Sequence, residues 1–167
     1  MIQVYTGNGK GKTTAALGSS LRAAGAGLKV YIAQFAKGCH YSELNALVKI
    51  KNIKVEQFGS GCFIKKRPAR KDIELAQAGL NKVREIIKSR KYELIILDEI
   101  NIAVHLNLIA LKDVVGILKS RPKDIELVLT GRYAHPEIIK LADLVSNIKE
   151  VKHYYKQGVK ARKGFEI

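Results

Sequence analysis

The glycine-rich segment TGNGKGKTTAA, residues 6 to 16, constrains the fold of this chain more than any other feature. A strand-like run, IQVY, precedes it, and TTAALGSSLRAAG follows it as a good helix former. Glycines permit backbone torsions and close approaches that side chains would block, so successive N–H groups and the positive end of the helix can face one concavity. The segment predicts a phosphate-binding loop. It is one residue shorter than G-x-x-x-x-G-K-[ST], whose first glycine would fall on Thr6.

Short apolar runs alternate with longer amphipathic ones along the rest of the chain. The short runs are typical of strands buried on both faces. The predicted strands are Ile2–Tyr5, Leu28–Phe35, Ile53–Phe58, Leu94–Leu97, Ile125–Thr130 and Leu144–Ile148. The predicted helices are Thr13–Ala26, Ser42–Val48, Asp72–Arg90 with Asp72 as its N-cap, Leu111–Ser120 and Pro136–Ala142. The alternation predicts a three-layer α/β fold with a mainly parallel sheet, as one domain over residues 1–167.

Charged side chains are predicted to gather at the carboxyl edge of that sheet. Lys12 would lie along phosphates, and Thr13 would offer its hydroxyl to a metal ion. Asp98 and Glu99 end the run ELIILDE, where an acid reaches the metal or its water. Arg132 follows another strand at the same edge; it would meet phosphate or carboxylate, or be an ordinary surface arginine.

These residues predict a P-loop NTPase (RecA-like) fold that binds a nucleotide with Mg²⁺ or Mn²⁺. No NKxD-like signal for guanine is present, which favours ATP over GTP. The predicted ATP-binding residues are Gly7, Asn8, Gly9, Lys10, Gly11, Lys12, Thr13 and Arg132, and the predicted metal ligands are Thr13, Asp98 and Glu99. Phosphoryl transfer is the usual use of such a site, so a small-molecule or nucleoside kinase is one candidate.

The net charge of +15 predicts affinity for polyanions, or a solvated basic surface. The charge is concentrated in KKRPARK (residues 65–71) and in the tail KHYYKQGVKARK (152–163), where Tyr154 and Tyr155 interleave with cations. A RecA-like nucleic-acid-binding ATPase is therefore a third, weaker candidate. The longest uncharged apolar stretch is too short to span a bilayer, and two cysteines suggest no disulfide framework, so we expect a cytoplasmic protein.

Six segments in order resemble the P-loop ATP:corrinoid adenosyltransferases of cobalamin synthesis and salvage. They are YTGNGKGKTTAALG, QFAKG, LIILDEI, LTGR, LADLVSNIKEVKH and GVKARKGFEI, and the short loop GNGKGKT is itself a mark of this family. The resemblance implies transfer of the 5′-deoxyadenosyl group of ATP to the cobalt of a Co(I) corrinoid, with release of tripolyphosphate. It also implies that Lys12, Thr13 and Glu99 carry the chemistry, and that no general base is needed.

The resemblance further implies where the corrinoid lies and which partners take part. The residues expected near the corrinoid are Lys37, Gly38, Ser42, Glu43, Cys62, Phe63, Ile64 and His153. Ile64 stands where the family often has tryptophan, which leaves the enclosure of the corrin and the choice of corrinoid open. A reduced flavoprotein is the implied electron donor, and a homodimer is the implied assembly.

Overall fold

The computed structural model of the chain describes residues 1–61 and 67–166. Its strands are β1 (Ile2–Thr6), β2 (Val30–Phe35), β3 (Ile53–Phe58), β4 (Leu94–Asp98), β5 (Glu126–Thr130) and β6 (Leu144–Asn147). Its helices are α1 (Lys12–Gly25), α2 (Ser42–Leu47), α3 (Arg70–Ser89), α4 (Ile100–His105), α5 (Leu111–Ser120) and α6 (Pro136–Leu141), followed by a 3₁₀ turn at Tyr154–Gln157.

The strands form one parallel sheet in the order β3-β2-β4-β5-β1-β6. Strand β5 lies between β1 and β4, so the segment after β5 reaches the sheet edge between the glycine-rich loop after β1 and the acidic pair after β4. Because the strands are parallel, their carboxyl ends meet at this edge, which is where open α/β sheets bind ligands.

Apolar side chains cover the sheet on both faces because successive residues of a strand point in opposite directions. In β2, Tyr31, Ala33 and Phe35 pack in one cluster, whereas Val30 and Ile32 pack in the other. Helices α3 to α6 contribute buried residues to the first cluster, and α1 and α2 to the second. These are the three layers that the sequence predicted, and the fold class is confirmed.

Each predicted strand and helix is present, with ends that differ by no more than two residues. Helix α4 was not predicted. It follows Glu99 directly and begins without a capping side chain. Asp72 was wrongly predicted as an N-cap. Ala69 holds that position, and Asp72 lies in the first turn, where its carboxylate accepts the Ala69 N–H at 2.9 Å. None of the helices in the described part of the chain combines the length and apolar character needed to cross a bilayer.

Candidate active site

The loop between β1 and α1 is shaped by contact with the segment that follows β6. The N–H of Gly9 donates to the carbonyl of Ile148 at 2.7 Å. Gly7 has a φ of 97°, and a Cβ built there would lie 2.3 Å from Asn147 Oδ1. A Cβ at Gly9 would lie 2.8 Å from the Ile148 carbonyl oxygen. These two glycines are therefore required by packing against the chain itself, a constraint that the sequence pattern did not reveal.

Lys12 closes the loop from inside. Its ammonium donates to the carbonyl oxygens of Gly7 at 2.8 Å and Gly9 at 2.6 Å, and the residue is buried. Burial lowers the pKa of Lys12. A lysine held at the loop by carbonyl groups is placed to exchange these weak acceptors for phosphate oxygens, which form stronger charge-assisted hydrogen bonds.

Asp98 is the centre of a buried hydrogen-bond network at the end of β4. Its Oδ1 accepts from the hydroxyls of Thr13 at 2.9 Å and Thr130 at 2.7 Å. Its Oδ2 accepts from the Lys37 ammonium at 2.7 Å and from the Gln34 amide at 3.2 Å. Asp98 is 1% exposed, and pairing of this kind is what makes a buried carboxylate tolerable.

Lys37 bridges Thr13 and Asp98, two of the three residues predicted to bind metal. Besides its bond to Asp98, its ammonium donates to Thr13 Oγ1 at 3.1 Å. Burial by itself lowers the pKa of Lys37, but the Asp98 carboxylate outweighs it and the net shift is upward. Lys37 is therefore a charged lysine that contacts Thr13 at the start of α1. It was predicted at this edge of the sheet and near the corrinoid, but its contacts with Thr13 and Asp98 were not predicted.

The oxygen atoms that Lys37 contacts are of the kind that a magnesium ion binds. The Thr13 hydroxyl and the Asp98 carboxylate adjoin each other, and both are hard oxygen ligands of the type that Mg²⁺ binds. Lys37 already places one positive charge between these two oxygens. The fit therefore depends on movement of this ammonium away from them.

Glu99 sits in an energetically costly position at the start of α4. It has a φ of 60°, which is uncommon for a residue with a side chain, and its N–H donates to Thr130 Oγ1 at 2.9 Å. Burial, followed by the neighbouring Asp98 carboxylate, raises the pKa of Glu99, although Lys37, Lys12 and Arg132 act in the opposite direction. Such a perturbed carboxyl at a sheet edge is typical of a functional residue.

We expect Glu99→Gln to stabilise the protein at neutral pH by on the order of 1 kcal/mol, because the amide removes the cost of a buried charge. Because the pKa of Glu99 is raised in the folded protein, its ionised carboxylate destabilises the fold fully at pH values above that folded-state pKa. Below the ordinary carboxyl pKa of 4.5 the group is protonated in both states and this destabilisation is absent. The advantage of the variant should therefore disappear as the pH falls below that value. Urea unfolding of both proteins at pH 7 and pH 4 measures it, and an equal difference at the two pH values would contradict the assignment.

A cavity of about 710 Å³ opens beside the loop, large enough for a nucleotide. It brings together the predicted residues Gly7, Asn8 and Arg132, and adds Tyr133, Asn147, Lys149, Glu150 and Lys156, which were not predicted. Tyr133 is 55% exposed and has a φ of 59°, and its ring stacks on His105 at a centroid distance of 4.3 Å. The placement of this tyrosine depends on backbone torsions, which the sequence pattern does not show.

Two further predicted residues, Lys10 and Gly38, form hydrogen bonds with other segments of the chain. The Lys10 ammonium is bound by the C-terminal segment, through Tyr154, Phe165 and Glu166. Gly38 donates its N–H to the carbonyl of Gly61 at 2.8 Å.

Three of the residues expected near the corrinoid lie at the start of a helix or of the 3₁₀ turn. Ser42 and Glu43 begin α2. His153 caps the 3₁₀ turn, where its Nδ1 accepts the Tyr155 N–H at 3.1 Å. Cys62, Phe63 and Ile64 lie outside the described residues.

Comparison with known proteins shows which family the chain belongs to. The family model for "ATP:corrinoid adenosyltransferase BtuR/CobO/CobP" matches residues 1–167. The chain is 33% identical over 166 residues to the corrinoid adenosyltransferase of Escherichia coli K12, covering 99% of this chain and 85% of the relative. It is 35% identical over 171 residues to that of a Sinorhizobium species, covering 100% and 80%. With that of Pseudomonas aeruginosa the identity is 34% over 169 residues, covering 100% and 83%. The chain therefore belongs to the ATP:corrinoid adenosyltransferase family.

Proposed function

We propose that this enzyme transfers the 5′-deoxyadenosyl group of ATP to the cobalt of a Co(I) corrinoid and releases tripolyphosphate. Family membership over the whole chain supports the reaction class. The structural observation that carries the proposal is the placement of three cations around the loop. Lys12 contacts the Gly7 and Gly9 carbonyls, Lys37 contacts Thr13, and Arg132 lines the cavity beside Gly7. A departing tripolyphosphate gathers negative charge, which is the charge that these groups are placed to stabilise.

The chain's contribution to this reaction is positioning and charge stabilisation. The cobalt supplies the electron pair of a new bond to C5′, the bond from C5′ to oxygen breaks, and the electron pair of that broken bond leaves with the tripolyphosphate. Lys12 would donate to the phosphate oxygens in place of the two loop carbonyls that it now contacts. The loop N–H groups and Arg132 would share the developing charge, so the leaving group departs without a proton donor.

A divalent cation is the second part of the proposal. Thr13, Asp98 and Glu99 would hold Mg²⁺ or Mn²⁺ with the phosphates, and Lys37 would turn from Asp98 toward the nucleotide. When bound, the ion neutralises phosphate charge and so lowers the barrier to departure of tripolyphosphate. The supporting observation is the direct bond between Thr13 and Asp98, which places two of the three oxygen ligands side by side.

Other features implied by the resemblance stay predictions. They are the corrinoid contacts of Lys37, Gly38, Ser42, Glu43, Cys62, Phe63, Ile64 and His153, the reduced flavoprotein donor and the homodimer. The cytoplasmic location, which was expected from the cysteine count and the short apolar stretches, also stays a prediction. Neither the family description nor the names of the relatives favours the kinase candidate.

The phosphorus product distinguishes adenosyl transfer from phosphoryl transfer. We expect anaerobic incubation with Mg·ATP and chemically reduced cob(I)alamin to yield one tripolyphosphate for each corrinoid consumed, as followed by ³¹P NMR. Omission of the reductant is the control and should leave ATP intact, because cobalt in its higher oxidation states is not the nucleophile. Accumulation of ADP in place of tripolyphosphate would support the kinase candidate and overturn the proposal.

A further inference from the structure

The C-terminal segment contacts the glycine-rich loop at Lys10. We call residues 153–166 the C-terminal strap. The Lys10 ammonium donates to Tyr154 Oη at 2.9 Å, to the carbonyl of Phe165 at 2.8 Å and to Glu166 Oε1 at 2.8 Å. An ammonium has three protons to donate, so these three bonds use its full capacity. The strap thus provides hydrogen-bond acceptors for all three protons of the Lys10 ammonium.

Glu166 is itself held firmly. Arg162 donates to both of its carboxylate oxygens through its guanidinium and also donates its backbone N–H, at 2.8 to 3.3 Å. The Tyr154 hydroxyl donates to the same carboxylate. Arg162, Lys10 and Tyr154, in that order, lower the pKa of Glu166, so its negative charge persists at physiological pH. The Arg162 guanidinium also lies over the rings of Tyr154 and Phe165, at 5.0 and 4.7 Å from their centroids.

Lys10 lies between Gly9 and Gly11, two loop residues whose backbone groups form hydrogen bonds. Gly9 accepts from Lys12 on the inside of the loop and donates to Ile148. The carbonyl of Gly11 begins the hydrogen bonding of α1 by accepting from Ala15 at 2.8 Å. The side chain of Lys10 attaches the loop to the rest of the chain as well, because it binds a segment about 150 positions away in the sequence. Without the strap, this stretch of loop would lose that attachment.

We propose that Glu166 and Tyr154 are positioning residues for the phosphate loop, acting through Lys10. By fixing Lys10 on the outside, they hold the backbone of the loop between Gly9 and Gly11 in one conformation, the one that would receive a triphosphate. Ordering the loop before binding reduces the conformational entropy that binding would otherwise cost. This inference rests on the proposed function only in taking a triphosphate as the ligand; it does not depend on the corrinoid or on the transfer step.

Hydrogen exchange on the nucleotide-free protein tests the inference without any ligand. We expect the amides of residues 7–13 to exchange about fivefold faster in Glu166→Gln and about threefold faster in Tyr154→Phe. Tyr154→Phe keeps the ring that faces Arg162 and removes only the hydroxyl. The matched control is Glu74→Gln, which removes an exposed carboxylate from its ion pair with Arg70 on α3. That variant should leave loop exchange unchanged.

Binding and coupling complete the test. Mg·ATP and tripolyphosphate, titrated calorimetrically without corrinoid, should each bind about fivefold more weakly to Glu166→Gln. The double variant Lys10→Met/Glu166→Gln should exchange no faster at the loop than Lys10→Met alone, because the two substitutions remove the same contact between the loop and the strap. Unchanged loop exchange in both single variants, or an acceleration spread evenly over the whole chain, overturns the inference. If adenosyl transfer fails while these results hold, only the proposed function is rejected.

Discussion

Replacing Lys12 with Ala is expected to weaken Mg·ATP binding about 100-fold, because charge-assisted hydrogen bonds to phosphate oxygens are lost. The free energy of unfolding should fall by only about 1 kcal/mol, since the two bonds from Lys12 to loop carbonyls contribute modestly to the fold. Isothermal titration calorimetry measures the affinity, and urea unfolding measures the stability. Adenosyl transfer should become undetectable at ATP concentrations that saturate the wild-type enzyme.

The matched control for this change is Lys119→Ala. Lys119 lies in the last turn of α5 and is exposed, so its removal takes away one positive charge without touching the loop. ATP affinity in this variant should stay within twofold of the wild-type value, because an exposed charge at that place is screened by salt. Comparable losses in both variants would mean that net charge, rather than placement of Lys12 at the loop, governs nucleotide binding.

Replacing Lys37 with Met should lower the free energy of unfolding by about 3 kcal/mol, because it leaves the Asp98 carboxylate buried without its cation. If the Thr13 and Asp98 oxygens form a cation site, millimolar Mg²⁺ should restore part of this loss in the variant. Thermal unfolding with and without Mg²⁺, in the absence of nucleotide, measures both effects. The wild-type protein should respond less to the ion, since Lys37 already holds these oxygens.

Lys82→Met serves as the control for the buried pair. Lys82 forms an exposed ion pair with Glu85 on α3, and such pairs contribute roughly 0–1 kcal/mol. Its unfolding free energy should change little, and Mg²⁺ should not affect the variant differently from the wild type. A Lys37→Met protein as stable as the wild type, with no response to Mg²⁺, would contradict the assigned network.

Local sequence patterns were sufficient to predict the sheet and the loop. Strands such as Val30–Phe35 are buried on both faces and therefore leave a continuous apolar run in the sequence. The loop residues from Gly7 to Thr13 are adjacent in the chain and have a distinctive composition. Asp98 and Glu99 could be placed near them because the carboxyl ends of parallel strands share one edge.

Local sequence patterns could not predict the remaining contacts of the site, because these contacts join residues that are far apart in the chain. Lys37 reaches Asp98 across 61 positions, and Lys10 reaches Glu166 across 156. The close approach of Gly7 to Asn147 likewise depends on β6 pairing with β1. Helix α4 escaped prediction for a different reason: it follows Glu99, whose positive φ begins the helix without a capping side chain.

The most direct test of the central claim is formation of the cobalt–carbon bond. Under anaerobic conditions, the protein with Mg·ATP should convert the absorption spectrum of chemically reduced cob(I)alamin to that of an alkylated cobalamin, and light should then cleave the product. The Lys12→Ala protein under the same conditions should leave the spectrum unchanged. An unchanged spectrum with the wild-type protein, while the reductant is active and ATP is bound, would contradict the account.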